Sequence, residues 1–271
     1  DAVAWNCCAT TPGSATQSAA QSMAEQPKQQ RRWDGSQVMG GGVGISAHGS
    51  VRIATDTTKM AMPEVGIGFI PDVGGTYLLA RTPGLLGLHA ALSGAPFTGA
   101  DAIAMGFADH FVPHDLLAAF LATAIADGPA AAVAAHAQEP PPSTLLAQRD
   151  WIDECYAGDT VSDILAALGD RGGERATKAA ELISSRSPVA LAVTLEAVRR
   201  AGTLTSLEDV LRQEFRTSCA SLRSHDLVEG IRAQLIDKDR NPKWSPPSPE
   251  AVTTADVEGY FAPADPDLSF D

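Results

Sequence analysis

Cysteine is scarce in this chain. Only Cys7, Cys8, Cys155 and Cys219 occur among 271 residues, with no C-x-x-C spacing. They are too few and too scattered for a disulfide framework, and they suit a reducing compartment, so a cytoplasmic location is the expectation. No metal site is expected. Long apolar runs are lacking as well: none approaches the roughly eighteen residues that a membrane span requires. The start of the chain has no basic segment followed by an apolar core, so no signal peptide is expected. Arg31 and Arg32 come too late and too alone for a transit peptide. Positive charge is also deficient. Twenty Lys and Arg stand against 33 Asp and Glu, a net charge of -13. Nucleic acid is excluded as an expected partner, because binding it requires a basic face. A polyanionic small ligand is not excluded, since it needs only a local basic patch.

A hydrophobic content of 44% fits a globular protein. The length allows a substantial core in one domain, or one domain with an appendage. Residues 1–37 are rich in Ser, Gln, Thr and Ala without a period of two or 3.6. They read as an atypical, disordered lead-in. Residues 38–127 form a core region of short elements. Val51-Arg-Ile-Ala-Thr alternates like a half-buried strand. Residues 60–70, broken by Pro63, Gly66 and Gly68, read as strand pieces and loop. A helix is expected through residues 72–81, with Asp72 near its N-cap. Thr98-Gly-Ala-Asp101 has the form of a capping box. Residues 107–112 alternate like a strand. Residues 128–143, which include Pro140-Pro-Pro142, are expected to be a linker. Residues 144–271 read as a helical C-terminal region, with Ser206-Leu-Glu-Asp209 as another cap, Asn241-Pro-Lys-Trp-Ser-Pro-Pro-Ser-Pro as an extended stretch and residues 253–261 as a last small helix.

The chemistry concentrates in residues 38–79. Gly40, Gly41 and Gly42 precede a helix-like turn. Consecutive glycines let the backbone approach a ligand and aim N–H groups at it, which an oxyanion needs. A plain tight turn is the commoner use of such glycines. Gly42-Val-Gly44-Ile-Ser-Ala47 also fits G-x-G-x-x-A, the dinucleotide fingerprint, but the polar, arginine-bearing residues before it make a poor leading strand. Glu64, within Met60-Ala-Met-Pro-Glu-Val-Gly-Ile, is a carboxylate in apolar surroundings. Its pKa is expected to be raised, which suits a general acid or base near neutral pH. Asp72 has two readings, helix cap and second catalytic carboxylate. Ser46 and His48 do not form a nucleophile elbow, because no G-x-S-x-G is present. His48, His110 and His225 read as packed or solvent-facing. Lys238, Arg240 and Lys243 form a small basic cluster, either a solvated helix end or a contact for phosphates.

Three stretches carry a resemblance: MGGGVGISAHG, AMPEVGIGFIPDVGGTYLLAR and LSGAPFTGADAIAMGFADHFVP. Together they resemble the crotonase (enoyl-CoA hydratase/isomerase) superfamily. PEVGIGFIPDVGG and the tail SHDLVEGIRAQLIDKDRNPKWSP are similar to its 3-hydroxyisobutyryl-CoA hydrolase branch. The resemblance implies an α/β fold, a crotonase-like spiral of ββα units followed by a helical C-terminal region. It implies Gly41 as an oxyanion donor, flanked by Gly40 and Gly42, Glu64 as the catalytic carboxylate and Asp72 as a second active-site acid. The reaction implied is hydrolysis of 3-hydroxyisobutyryl-CoA to the free acid and CoA, a step of valine breakdown. No permanently bound cofactor is implied; CoA enters as part of the substrate, with Lys238, Arg240 and Lys243 as contacts for its phosphates. Hydratases of the superfamily carry a second glutamate at the position of Gly44, so hydration is the alternative reaction and glycine there disfavours it. The strands that precede the glycines in the family are not recognisable in residues 1–37. A truncated or frame-shifted start is therefore expected, and a catalytically impaired remnant is a further alternative. A homo-oligomer stays open, as crotonase relatives often form trimers or paired trimers.

Overall fold

The computed structural model describes residues 3–4 and 37–270. The expected lead-in of residues 1–37 lies almost wholly outside the described residues. Two three-stranded sheets form the first half. Strand β1 (Val3–Ala4) pairs antiparallel with β3 (Arg52–Ala54), which pairs parallel with β6 (His110–Phe111). Strand β2 (Gln37–Met39) pairs parallel with β4 (Lys59–Ala61), which pairs antiparallel with β5 (Phe97–Thr98). Each strand is two or three residues long; Gly40 follows β2, Pro63 and Pro113 follow β4 and β6 within two residues, and Thr98 at the end of β5 is itself a helix cap. Between them lie short helices: α1 (Gly41–Ser46), α2 (Gly75–Leu79), α3 (Leu86–Ser93) and α4 (Gly99–Ala104). The Thr98–Asp101 capping box starts α4 as its sequence suggests.

The stretch expected to be a linker is mostly structured. Helix α6 (Pro129–His136) packs against α5 (Leu117–Asp127), and only the residues after it are irregular. Proline at the first helical position costs no hydrogen bond, so Pro129 starts a helix rather than preventing one. The two helices close a small separate core of Ile53, Val112, Phe120 and Ala132.

From α7 (Arg149–Cys155) onward helices predominate, with irregular stretches at 237–248 and 261–270: α8 (Val161–Arg171), α9 (Glu174–Ser184), α10 (Pro188–Thr203), α11 (Leu207–Ser221), α12 (His225–Ile231) and α13 (Thr254–Tyr260). All but α9 of those from α8 on begin at a serine or threonine whose side chain accepts a hydrogen bond from the first turn: Thr160, Ser187, Ser206, Ser224 and Thr253. Helix α12 ends in a wider π-type turn, Arg232–Ile236. One large core joins the halves. Val43, Met60, Met62 and Val65 meet Leu79, Leu86 and Leu92 from α2 and α3, and Ile183, Leu191 and Val193 from α9 and α10. Helix α10 packs on α2 and α3, and α12 packs on the turn Glu64–Ile67. Gly68 and Gly230 make that last contact close. A side chain at Gly68 would strike the Asp226 carbonyl, and one at Gly230 would lie 2.6 Å from the Ile67 Cα. Among the described residues no helix is long and apolar enough to cross a membrane.

Candidate active site

Glu64 opens a single 3-10 turn after Pro63. Its carbonyl accepts the N–H of Phe69 at 3.0 Å, and Gly68, in the left-handed region, ends the turn. The backbone is thus held while the side chain turns inward, 7% exposed. Burial pushes the Glu64 carboxyl up to about 8, with the charges of Asp72 and Glu214 adding to the rise and its own backbone N–H opposing it. Its Oε2 is buried with no hydrogen-bond partner among the described residues. A buried acceptor left unpaired costs on the order of 1–3 kcal/mol, so the structure holds this oxygen at a thermodynamic loss.

Glu64 faces the glycine cluster. Its Oε1 lies 2.8 Å from where a Cβ on Gly40 would stand, and Gly40 itself has φ 52, so both space and backbone require glycine there. Gly40 is held to β4 by its N–H to the Ala61 carbonyl, 3.1 Å. Gly41 and Gly42 follow as the first two residues of α1, both exposed. N–H groups at the first positions of a helix have no intrahelical acceptor, so they are free to receive a ligand oxygen. Gly44, one turn on, packs against Val73: an added Cβ would lie 2.6 Å from Val73 Cγ2. Val73 has φ 56, a backbone conformation that β-branched residues rarely adopt.

Asp72 does not cap a helix. The N-cap of α2 is Gly74, in the left-handed region and without a capping side chain of its own. The Asp72 side chain is instead half-buried, and burial raises its pKa. The Gly75 N–H meets the Asp72 carbonyl at 2.8 Å, and the N–H groups on either side of it are taken by a residue about 140 positions away. Glu214 of α11 accepts the N–H of Gly74 at 2.7 Å, the N–H of Thr76 at 2.9 Å and the hydroxyl of Thr76 at 2.6 Å. Glu214 is 2% exposed, and burial lifts its carboxyl to about 7 against the lowering pull of those three bonds. Sequence reasoning misses it. Its only signal is an acid on the inner, Val210-bearing face of an amphipathic helix.

The basic candidates stand apart from this cluster. Lys238, Arg240 and Lys243 lie on the loop after α12, with Lys238 and Arg240 exposed and at positive φ. Asp237, Asp239 and Glu229 from the same region converge on Arg232. His48 sets its ring edge against Gly74, and burial lowers its pKa. Ser46 bonds back to the carbonyl of Gly42, 2.9 Å, within its own helix, so it forms no pair with His48. His225 touches Asp226, whose other oxygen takes the Ser187 hydroxyl at 2.5 Å, a clasp between α10 and α12. Among the described residues no group of three or more His, Cys, Asp or Glu is placed to hold a metal ion.

A spiral of short ββα units carrying a glycine turn against a buried carboxylate, closed by a helical region, is the crotonase architecture. The chain belongs to the enoyl-CoA hydratase/isomerase family, whose pattern it matches over residues 20–261. It is 38% identical over 234 residues to the mitochondrial 3-hydroxyisobutyryl-CoA hydrolase of Xenopus laevis, a match covering 82% of this chain and 60% of that protein. It is 39% identical over 239 residues to 3-hydroxyisobutyryl-CoA hydrolase 1 of Arabidopsis thaliana, covering 83% and 63%. The chain thus spans about 60% of the length of the curated relatives it matches. Among solved structures it superposes on a carnitinyl-CoA dehydratase from Mycobacterium thermoresistibile with a TM-score of 0.84 and 70% identity, covering 86% of this chain and 68% of that one. An enoyl-CoA hydratase from Rhodobacter sphaeroides gives 0.81 and 40%, with the same coverage.

Proposed function

We propose that the chain hydrolyses a short hydroxyacyl-CoA thioester, 3-hydroxyisobutyryl-CoA being the substrate the similar hydrolases point to. The observation that carries this reading is the Glu64 carboxylate, buried against the glycine turn with one oxygen unpaired. Ionised Glu64 takes a proton from water, and the hydroxide adds to the thioester carbonyl carbon. The carbonyl oxygen becomes an oxyanion that accepts the Gly41 N–H. The intermediate collapses, the C–S bond breaks, and Glu64 returns its proton to the leaving thiolate. Free acid and CoA thiol result. Asp72 orients the water or the substrate hydroxyl, and Lys238, Arg240 and Lys243 meet the CoA phosphates.

Hydration of a double bond is the second reading, favoured by the likeness to the two superposed structures, a dehydratase and a hydratase. It asks for a second carboxylate at the position of Gly44. Val73 fills that space, so a glutamate there requires Val73 to move. The experiment is incubation of the purified chain with 3-hydroxyisobutyryl-CoA and with crotonyl-CoA, following free thiol and double-bond absorbance. Thiol release that is lost in Glu64→Ala supports hydrolysis. Loss of the double bond without thiol moves the assignment to hydration, and silence in both assays removes the catalytic reading.

A further inference from the structure

We propose that Glu214 is a positioning residue of this site, a buried carboxylate delivered from α11 that both fixes the Asp72–Gly75 turn beside Glu64 and places a negative charge behind it. The inference deepens the hydrolase reading, and its kinetic arm rests on that reading.

Helix α2 has five residues and an N-cap that offers no side chain. Left alone, so short a helix is not stable; the Gly75 N–H meets the Asp72 carbonyl at 2.8 Å, while the N–H groups of Gly74 and Thr76 need an acceptor from elsewhere. Glu214 closes them with three bonds, two to main-chain N–H groups and one to the Thr76 hydroxyl. Those bonds tie down the segment that holds Asp72, Val73 at its positive φ, and Gly74 against His48. A neutral acceptor at 214 would satisfy part of this set. A carboxylate does more. The charges of Asp72 and Glu214 both act on Glu64, and that of Asp72 acts on Glu214. Like charges in a dry site disfavour ionisation. Glu214 thereby keeps Glu64 protonated to higher pH than burial alone would.

The other charges on the packed elements are engaged elsewhere. On α11, Arg212 pairs with Asp209 and Arg216 with Asp267. On α10, Arg200 pairs with Glu196 and Glu258, and Arg199 donates to the carbonyls of Gly158 and Asp159. On α13, Asp256 caps its own helix with Thr253. Around the Glu64 turn, Asp226 takes Ser187 and Glu229 takes Arg232, Arg186 donates to the Ser93 carbonyl, and His89 of α3 bonds Tyr156. Arg81, after α2, stacks on Tyr77. No cation among these pairs with Glu214.

The test is Glu214→Gln in the full chain, read in two ways. Carbon-13 NMR of labelled glutamate follows the Glu64 carboxyl through pH, and the acid limb of thiol release gives the same quantity kinetically. Removing the charge is expected to lower the Glu64 midpoint by about half a pH unit or more, with the acid limb following it. A folded variant whose Glu64 midpoint is unmoved overturns the proposal, whatever its loss of stability. If Glu214→Gln does not fold, Thr76→Val removes one of the three donors and keeps the charge. The Glu214 midpoint is then expected to rise, and an unchanged midpoint overturns the proposal. The two readings fail separately. Absence of thiol release with the carboxyl midpoints still displaced ends the hydrolase assignment and leaves the coupling standing. Thiol release with an acid limb indifferent to Glu214→Gln does the reverse.

Discussion

The glycine-rich half and the helical half solve the same problem in opposite ways. From α8 on, the helices obey local rules. A hydroxyl caps nearly every start, apolar residues line one face, and arginines pair on the other: Arg200 with Glu196, Arg212 with Asp209, Arg232 with Glu229. Around Glu64 the local rules are broken. Strands last two or three residues, α2 has no cap of its own, Val73 sits at positive φ, and a carboxylate oxygen is buried unpaired. Such violations persist only where the surroundings over-determine them. Here the helical half supplies the restraint: Glu214 at α2, the α12 backbone against Gly68, and Ser187 donating its N–H to the Val65 carbonyl at 3.2 Å. The regular half holds the irregular half in a state it would not keep alone.

The sharpest way to break this contrast is at Glu64. Glu64→Gln is expected to cut thiol release by about a thousandfold, the usual scale for loss of a general base. The same substitution is expected to stabilise the fold at alkaline pH. The Glu64 carboxyl rises to about 8 and that of Glu214 to about 7, both above the unfolded value. Each therefore contributes stability that is complete below the unfolded pKa and is lost as pH rises through the folded one. Stability should fall as pH climbs from the ordinary carboxylate range through these two raised midpoints. The slope should be at most about 1.4 kcal/mol per pH unit for each carboxyl, and Glu64→Gln should flatten much of it in urea melts. A variant that is less stable than the parent at alkaline pH would show that Oε2 is paired after all.

Next in size is the seam. Gly68 has φ 72 and no room beside the Asp226 carbonyl. Gly68→Ala is expected to cost about 3 kcal/mol, combining a strained backbone with overpacking, and to lower activity by loosening the Glu64 turn. By contrast Thr160→Ala, which removes only the cap of α8, is expected to cost about 1 kcal/mol and leave thiol release unchanged. Equal effects of the two on activity would erase the distinction between the halves.

How much of this is legible in the sequence follows from the same contrast. The helices with Ser or Thr caps can be read off, because cap and period lie within one element. The Thr98–Asp101 box is of this kind. The glycine turn and Glu64 are legible through type and spacing. Glu214 is not, since its partners at Gly74 and Thr76 lie 140 and 138 residues away and no local pattern announces them. For the same reason Asp72 invites the reading of a cap: sequence offers the nearest acid, whereas the fold brings a distant one. Residues 129–136 resemble a linker because the following prolines outweigh an alanine-rich run that needs only α5 to pack against.

The smallest effect is expected at the basic loop, and it tests whether the helical half also touches substrate. Among the described residues Lys238, Arg240 and Lys243 form no ion pair; the carboxylates of the loop go to Arg232 instead. Lys243 Nζ donates to the Asn241 side chain, 3.1 Å. Arg232, engaged by Glu229, Asp237 and Asp239, holds the loop in shape. An exposed charge contact contributes about 0.5–1 kcal/mol, so each alanine replacement should raise KM about two- to fivefold with kcat unchanged. The increase should shrink as salt is added, because exposed charges are screened. A salt-independent change, or one in kcat, would assign the loop to holding α12 rather than to meeting phosphate, and would leave substrate contact to the glycine-rich half alone.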